Sequence, residues 1–150
     1  MKKILVLALL LLAFNAKSQT KEETEKWLKE KLYAYSYTQV YGETIFQVDK
    51  IEVSNCKIIV ITDIYESGYS GVRIETIPII SSLTYIKGDN VYVFKGNILS
   101  EWKSLKTQWK SSNNNSESWF KLKDVPDDML ERIQKALEHY RKLCGVDEPF

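Results

Sequence analysis

The segment HYRKLCG carries the only histidine of the chain, His139, and five residues on one of its two cysteines, Cys144. A cysteine nucleophile needs a base within about 3 Å to draw off its proton, so this is the first place to look for covalent catalysis. The segment closes an amphipathic stretch in which Met129, Ile133, Ala136, Leu137, Tyr140, Leu143 and Cys144 recur at helical spacing on one apolar stripe. At 100° per residue, His139 lies about 140° round the helix from Cys144, on the polar flank beside Arg132. The two side chains diverge. The spacing therefore predicts a surface histidine, a core-facing cysteine, and no shared proton or metal, with Gly145 ending the helix in a left-handed conformation.

Other routes to catalysis are thin. The chain has no Gly-x-Ser-x-Gly elbow, no His-Glu-x-x-His, no glycine-rich phosphate loop and no Cys-x-x-Cys, so neither a metal nor an organic cofactor is expected. Carboxylates remain. Asp63 with Glu66, and Asp124 with Asp127, have the side chains that acid-base hydrolysis of a glycosidic bond requires. A small periplasmic hydrolase working through paired carboxylates is thus the alternative to a non-catalytic binding module.

Two stretches carry residues suited to binding. In LYAYSYTQVY, Tyr33, Tyr35, Tyr37 and Tyr41 recur at even spacing, a set of amphipathic rings that stack on a ligand or fill the seam beside the first helix. Later, Trp102, Trp109, Trp119 and Phe120 interleave with Lys103, Lys106, Lys110, Lys121 and Lys123. Aromatic planes beside ammonium groups suit anionic glycans or headgroups, and the same alternation also describes a sheet with one buried aromatic face and one solvated lysine face. Trp102, Lys103, Lys106, Trp109, Lys110 and Trp119 are the candidate ligand-binding residues.

These residues need elements to hold them. Thr20 and Glu23 form a capping-box pattern, and Thr24, Trp27, Leu28, Lys31, Leu32 and Tyr35 follow at helical spacing, predicting a first helix over about residues 21–34. From Tyr35 to Leu122, runs of β-branched and aromatic residues are broken by turn signals at Gly42, Ser54-Asn55, Ser67-Gly68, Gly88-Asp89-Asn90, Gly96-Asn97 and Asn113-Asn114-Asn115. That rhythm predicts short antiparallel strands. TIFQVDKIEV pairs with KIIVITDIY, LTYIK with VYVFK, and WKSLKTQWK with SESWFKLK around the asparagines. Pro126 suits the first position of a closing helix, with Asp127 and Asp128 complementing its dipole.

The start of the chain predicts where it acts. Lys2 and Lys3 precede an apolar run from Ile4 to Phe14, followed by Ala16-Lys17-Ser18, the pattern of a signal peptide over residues 1–18. An apolar run of eleven residues covers only about half of a roughly 30 Å hydrocarbon core, so no stable membrane anchor is expected after cleavage. Residues 19–150 then form one exported domain, periplasmic or extracellular. It keeps 18 basic and 20 acidic residues, a net charge of −2, which argues against a nucleic-acid partner. An unknown protein or a cell-envelope polymer is the expected partner.

The stretch VRIETIPIISSLTYIKGDNVYVFKG, a strand, a short crossing and a hairpin, resembles the middle of bacterial pleckstrin-homology-like and GRAM-like domains. SESWFKLKDVPDDMLERIQKALEHYRKLC resembles the way that superfold closes, with a helix plugging one end of a bent sheet. The resemblance spans roughly residues 44–144 and implies an α+β fold. Its expected parts are an N-terminal helix, a bent antiparallel sheet or partly open barrel of about seven strands, and a C-terminal amphipathic capping helix. The clustered Lys and Arg of phosphoinositide-binding members are absent from the Ser54-Asn55-Cys56 turn, which has only Lys50 and Lys57 nearby. Inositol-lipid binding therefore does not carry over. In such a fold the closing helix crosses the open end of the sheet, so Cys56 at a hairpin turn and Cys144 at the helix end are expected either to form a disulfide or to be buried as separate thiols.

Overall fold

The computed structural model describes residues 19–86, 91–107 and 109–146, without the side chains of Tyr41 and Tyr69. The predicted leader, residues 1–18, and the Gly88-Asp89-Asn90 turn lie outside the described residues. No helix of the described residues is long and apolar enough to cross a membrane.

Helix α1 runs from Lys21 to Ala34 and begins as its sequence predicts. Thr20 Oγ1 accepts from the Glu23 amide at 3.2 Å, and Glu23 Oε2 accepts from the Thr20 amide at 2.9 Å. Two amide groups that no helical carbonyl can reach are thus satisfied reciprocally. Thr24, Leu28 and Leu32 form the buried face.

Among the described residues seven antiparallel strands follow: β1 (Gln39–Tyr41), β2 (Thr44–Ser54), β3 (Lys57–Glu66), β4 (Tyr69–Pro78), β5 (Ser82–Ile86), β6 (Val91–Ser104) and β7 (Lys110–Lys121). The β2–β3 connection is the tightest. Asn55 and Cys56, with φ of 51° and 58°, are the two left-handed residues between the Ser54–Lys57 pair, the geometry that matches the twist of a two-residue hairpin.

Strand β6 joins the two ends of the sheet. Along one edge its first half pairs with β5 (Val91–Lys95) and its second half with β4 (Leu99–Ser104); β7 pairs along the other edge. Where the neighbour changes, an irregularity between Lys95 and Ile98 bends the strand. The sheet curls until β1 and the end of β7 face each other, joined by a bridge between Ser36 and Leu122 and a 2.9 Å hydrogen bond from the Lys123 amide to the Tyr35 carbonyl. The result is a half-barrel.

Helix α2 (Asp127–Leu143) plugs it, burying Ile133, Leu137 and Tyr140 against Ile51, Ile58, Ile77, Tyr92, Phe94 and Leu122 of the sheet and Leu28 and Leu32 of α1. Tyr140 OH donates to Glu25 Oε1 at 2.7 Å and accepts from the Cys56 amide at 2.9 Å, tying both helices to the first hairpin. Cys56 and Cys144 are disulfide-bonded, with Cα atoms 5.7 Å apart.

The α+β layout expected from the sequence is present, with four local differences. The asparagine run is not a turn: Asn113, Asn114 and Asn115 lie within β7, opposite Ser100, Leu99 and Ile98, and the β6–β7 ladder starts from the Lys103–Lys110 pair instead. Gly96-Asn97 is the bend within β6, because an extra residue in a ladder uses the same permissive residue types as a turn. Pro126 is the N-cap rather than the first helical residue, and Leu143, placed on the apolar stripe, is 36% exposed where the helix leaves the sheet.

Candidate functional site: an open seam in the half-barrel

The seam between β1 and β7 opens above the Ser36–Leu122 bridge, and its floor is β4. Arg73 and Glu75, two residues apart on β4, face the same way as Thr62 and Val60, their partners on β3, and as Trp102 and Ser100, their partners on β6. Thr62, Glu75 and Ser100 are buried, at 3%, 8% and 1% exposure. The apolar core of the plugged end thus gives way to a polar floor beneath the seam.

Arg73 is held on three sides. Its Nε lies 3.6 Å from Glu75 Oε2, and its guanidinium carbon lies 5.5 Å from the ring centroids of both Phe46 and Trp102. Planar stacking on aromatic rings and pairing with a carboxylate are what guanidinium chemistry favours. The pairing is loose, however. Among the described residues, Nε of Arg73 makes no hydrogen bond and neither does Oγ of Ser100, opposite Glu75. Buried polar atoms normally find partners, so unspent hydrogen-bonding capacity lies beneath this opening.

Over this floor lies a cavity of about 490 Å³, bordered by Gln39 from β1, Arg73 and Glu75 from β4, and Asn115, Glu117 and Trp119 from β7. Lys121 closes one end, its Nζ 5.2 Å from the Tyr37 ring centroid. Two cations and two carboxylates border the same space. The lining is charge-balanced, carries the side-chain amides of Gln39 and Asn115, and is suited to a polar ligand of little net charge.

The residues singled out from sequence are dispersed around this seam. Trp102 flanks Arg73 in the floor, and Trp119, 55% exposed, borders the cavity. Lys103 and Lys110 are cross-strand partners at the other end of the hairpin; Lys106 donates to the Gly68 carbonyl at 3.2 Å, and Trp109 is exposed beside the turn. Ten residues of extended chain separate Trp109 from Trp119, about 33 Å. The six do not make one patch. The tyrosines are dispersed too: Tyr33 is on α1, Tyr35 packs on the core, and Tyr37 stands beside Lys121.

Asp63 accepts from Tyr65 OH at 3.2 Å and Asp124 pairs with Lys123 at 3.7 Å. Neither they nor Glu66 and Asp127 line the cavity. His139 Nε2 sits 3.1 Å from the Gln19 carbonyl oxygen, and Cys144 is bonded to Cys56, so thiol and imidazole form no catalytic pair. Among the described residues, no group of three or more His, Cys, Asp or Glu side chains gathers as a metal site would require.

Sequence reasoning missed Arg73 and Glu75. The available signal was two opposite charges, two residues apart, interleaved with Val72, Ile74, Thr76 and Ile77 in one strand. Compared with protein-family models, with curated proteins and with solved structures, the chain finds no match in any of the three.

Proposed function

We propose that this chain is an exported, non-catalytic binding module that holds a protein, a peptide or another cell-envelope component in the seam between β1 and β7. The observation that carries this is Arg73, fixed by Phe46 and Trp102 with an Nε that makes no hydrogen bond among the described residues, at the floor of an open cavity of about 490 Å³. A rigid donor beside a rigid acceptor binds a group that both accepts and donates, and little side-chain entropy remains to be lost on binding. The charged start and apolar run of residues 1–18 support export. The order of helix, curled sheet and closing helix supports kinship with pleckstrin-homology-like and GRAM-like domains.

The carboxylates of the seam favour binding over hydrolysis. Glu75 is already engaged by Arg73, whereas a glycosidase needs one carboxyl group free to give a proton and a second to attack or to activate water. The test is capture from a cell-envelope extract on immobilised residues 19–150, run beside Arg73→Gln. Retention should fall at least tenfold in the variant while its melting temperature stays within a few degrees, and the captured component should leave with its mass unchanged. Equal capture by both proteins, or a bound component released in cleaved form, overturns the proposal.

A further inference from the structure

We propose that the ligand of the seam is an extended peptide strand, which pairs with the free edge of β7 and lays its side chains over Arg73 and Glu75. This presupposes the binding role proposed above and names its ligand. Strand β7 has twelve residues and pairs with β6 along one edge only. Its other edge has no ladder among the described residues; the one bridge on that side, Leu122 to Ser36, comes just past its end. Alternate amide and carbonyl groups of β7 therefore point into the seam without a strand to receive them, which is the template that strand addition uses.

Three features favour an incoming strand. Long edges are usually guarded by proline, by charges or by a bulge that twists them away. Here the edge reads KSSNNNSESWFK, with no proline, lysines only at the ends and Glu117 as the single charge between them, and the sheet's irregularities lie on β2 and β6 instead. The opposite bank, β1, has three residues and covers only a fraction of β7's length. Finally, the Arg73–Glu75 pair offers donors beside an acceptor, which suits a peptide group or an amide or hydroxyl side chain. A carboxylate would meet Glu75 and Glu117, and an ammonium group would meet Arg73 and Lys121.

A sugar fits less well. Stacking a pyranose needs open aromatic faces, and Phe46 and Trp102 already carry the Arg73 guanidinium, leaving Trp119 alone exposed at the cavity.

The probe is a phage-displayed library of random dodecapeptides, panned against residues 19–150, with enriched peptides then synthesised and N-methylated at each backbone position in turn. Modifying the peptide leaves the protein unchanged, so folding is not in question. In strand addition, only every second amide of the peptide bonds to β7. Methylation at alternate positions should therefore weaken binding more than tenfold, and at the intervening positions less than about twofold, with the unmethylated peptide losing at least tenfold on Arg73→Gln. A flat methylation profile, failure to enrich any peptide, or a self-associated dimer joined through β7 that no peptide displaces overturns strand uptake. If peptides fail while envelope glycan strands bind in an Arg73-dependent manner, the binding role stands without this ligand. If nothing binds in an Arg73-dependent manner, both fall.

Discussion

Reducing the Cys56–Cys144 bond should cost this protein a large part of its thermal stability. The bridged residues are 88 positions apart, and closing a loop of that length removes conformational freedom from the unfolded chain worth about 4.6 kcal/mol at 25 °C in the loop-entropy treatment. With an unfolding entropy of roughly 2.1 cal/mol/K per residue, the 132 residues after the leader give a fall in melting temperature of about 17 °C. The effect belongs mainly to the unfolded state, because Tyr140 already ties α2 to the Cys56 amide and to Glu25 without help from sulfur. A second signature follows. The reduced chain is freer to expand when it unfolds, so its denaturant slope should rise as its midpoint falls. The assay is urea and thermal unfolding of oxidised protein against protein reduced and alkylated at both cysteines, with the double variant Cys56→Ala, Cys144→Ala controlling for the bulk of the alkyl groups. A shift below about 5 °C in both, with unchanged slope, would refute this account of the bridge.

Three further outcomes are expected. Burial raises the phenols of Tyr92 and Tyr140 above their ordinary value, with the hydrogen bond to Glu25 adding to the effect at Tyr140. Above about pH 10 the unfolded chain loses protons that the folded one keeps, so stability intact below that pH should decline by up to about 1.4 kcal/mol per pH unit per phenol. Urea midpoints at pH 9 and pH 11 should show the decline, and Tyr92→Phe or Tyr140→Phe should make it shallower. Gly96→Ala would place a methyl carbon 2.6 Å from Ser81 Oγ and 3.3 Å from its Cα, an overpacking that should cost about 1–3 kcal/mol. Calorimetry should show much of that loss returning when Ser81→Gly is added. Thr20→Ala opens the capping box of α1 and should cost about 1 kcal/mol in chemical unfolding.

What the sequence disclosed follows the strength of its local signals. The capping box, the Asn55-Cys56 turn and the apolar stripe of α2 each rest on neighbours within a few residues, and each appears in the fold. The asparagine run misled because Asn favours turns in isolation, whereas pairing with β6 holds Asn113–Asn115 extended along an exposed strand. Arg73 and Glu75 were hidden for a different reason. In VRIETIP the apolar residues Val72 and Ile74 alternate with the charged ones and suggest themselves as the inward face, yet register with Thr62 and Val60 turns the charged pair inward. No local pattern in one sequence reveals that a curled sheet leaves a gap between its first and last strands, because the gap is made by residues far apart in the chain, such as Gln39 and Trp119.

Strand β6 has neighbours on both sides over most of its length: β5 and then β4 on one, β7 on the other. Its amides therefore meet solvent only when a large part of the sheet comes apart, whereas the three residues of β1 can open alone. In hydrogen exchange the two strands would mark the ends of a scale, with β1 trading its protons through local fluctuations and β6 keeping its own until global unfolding. The slowest amides of this protein would thus count the rate of whole-molecule opening, an internal clock set by one strand that has little edge left to fray.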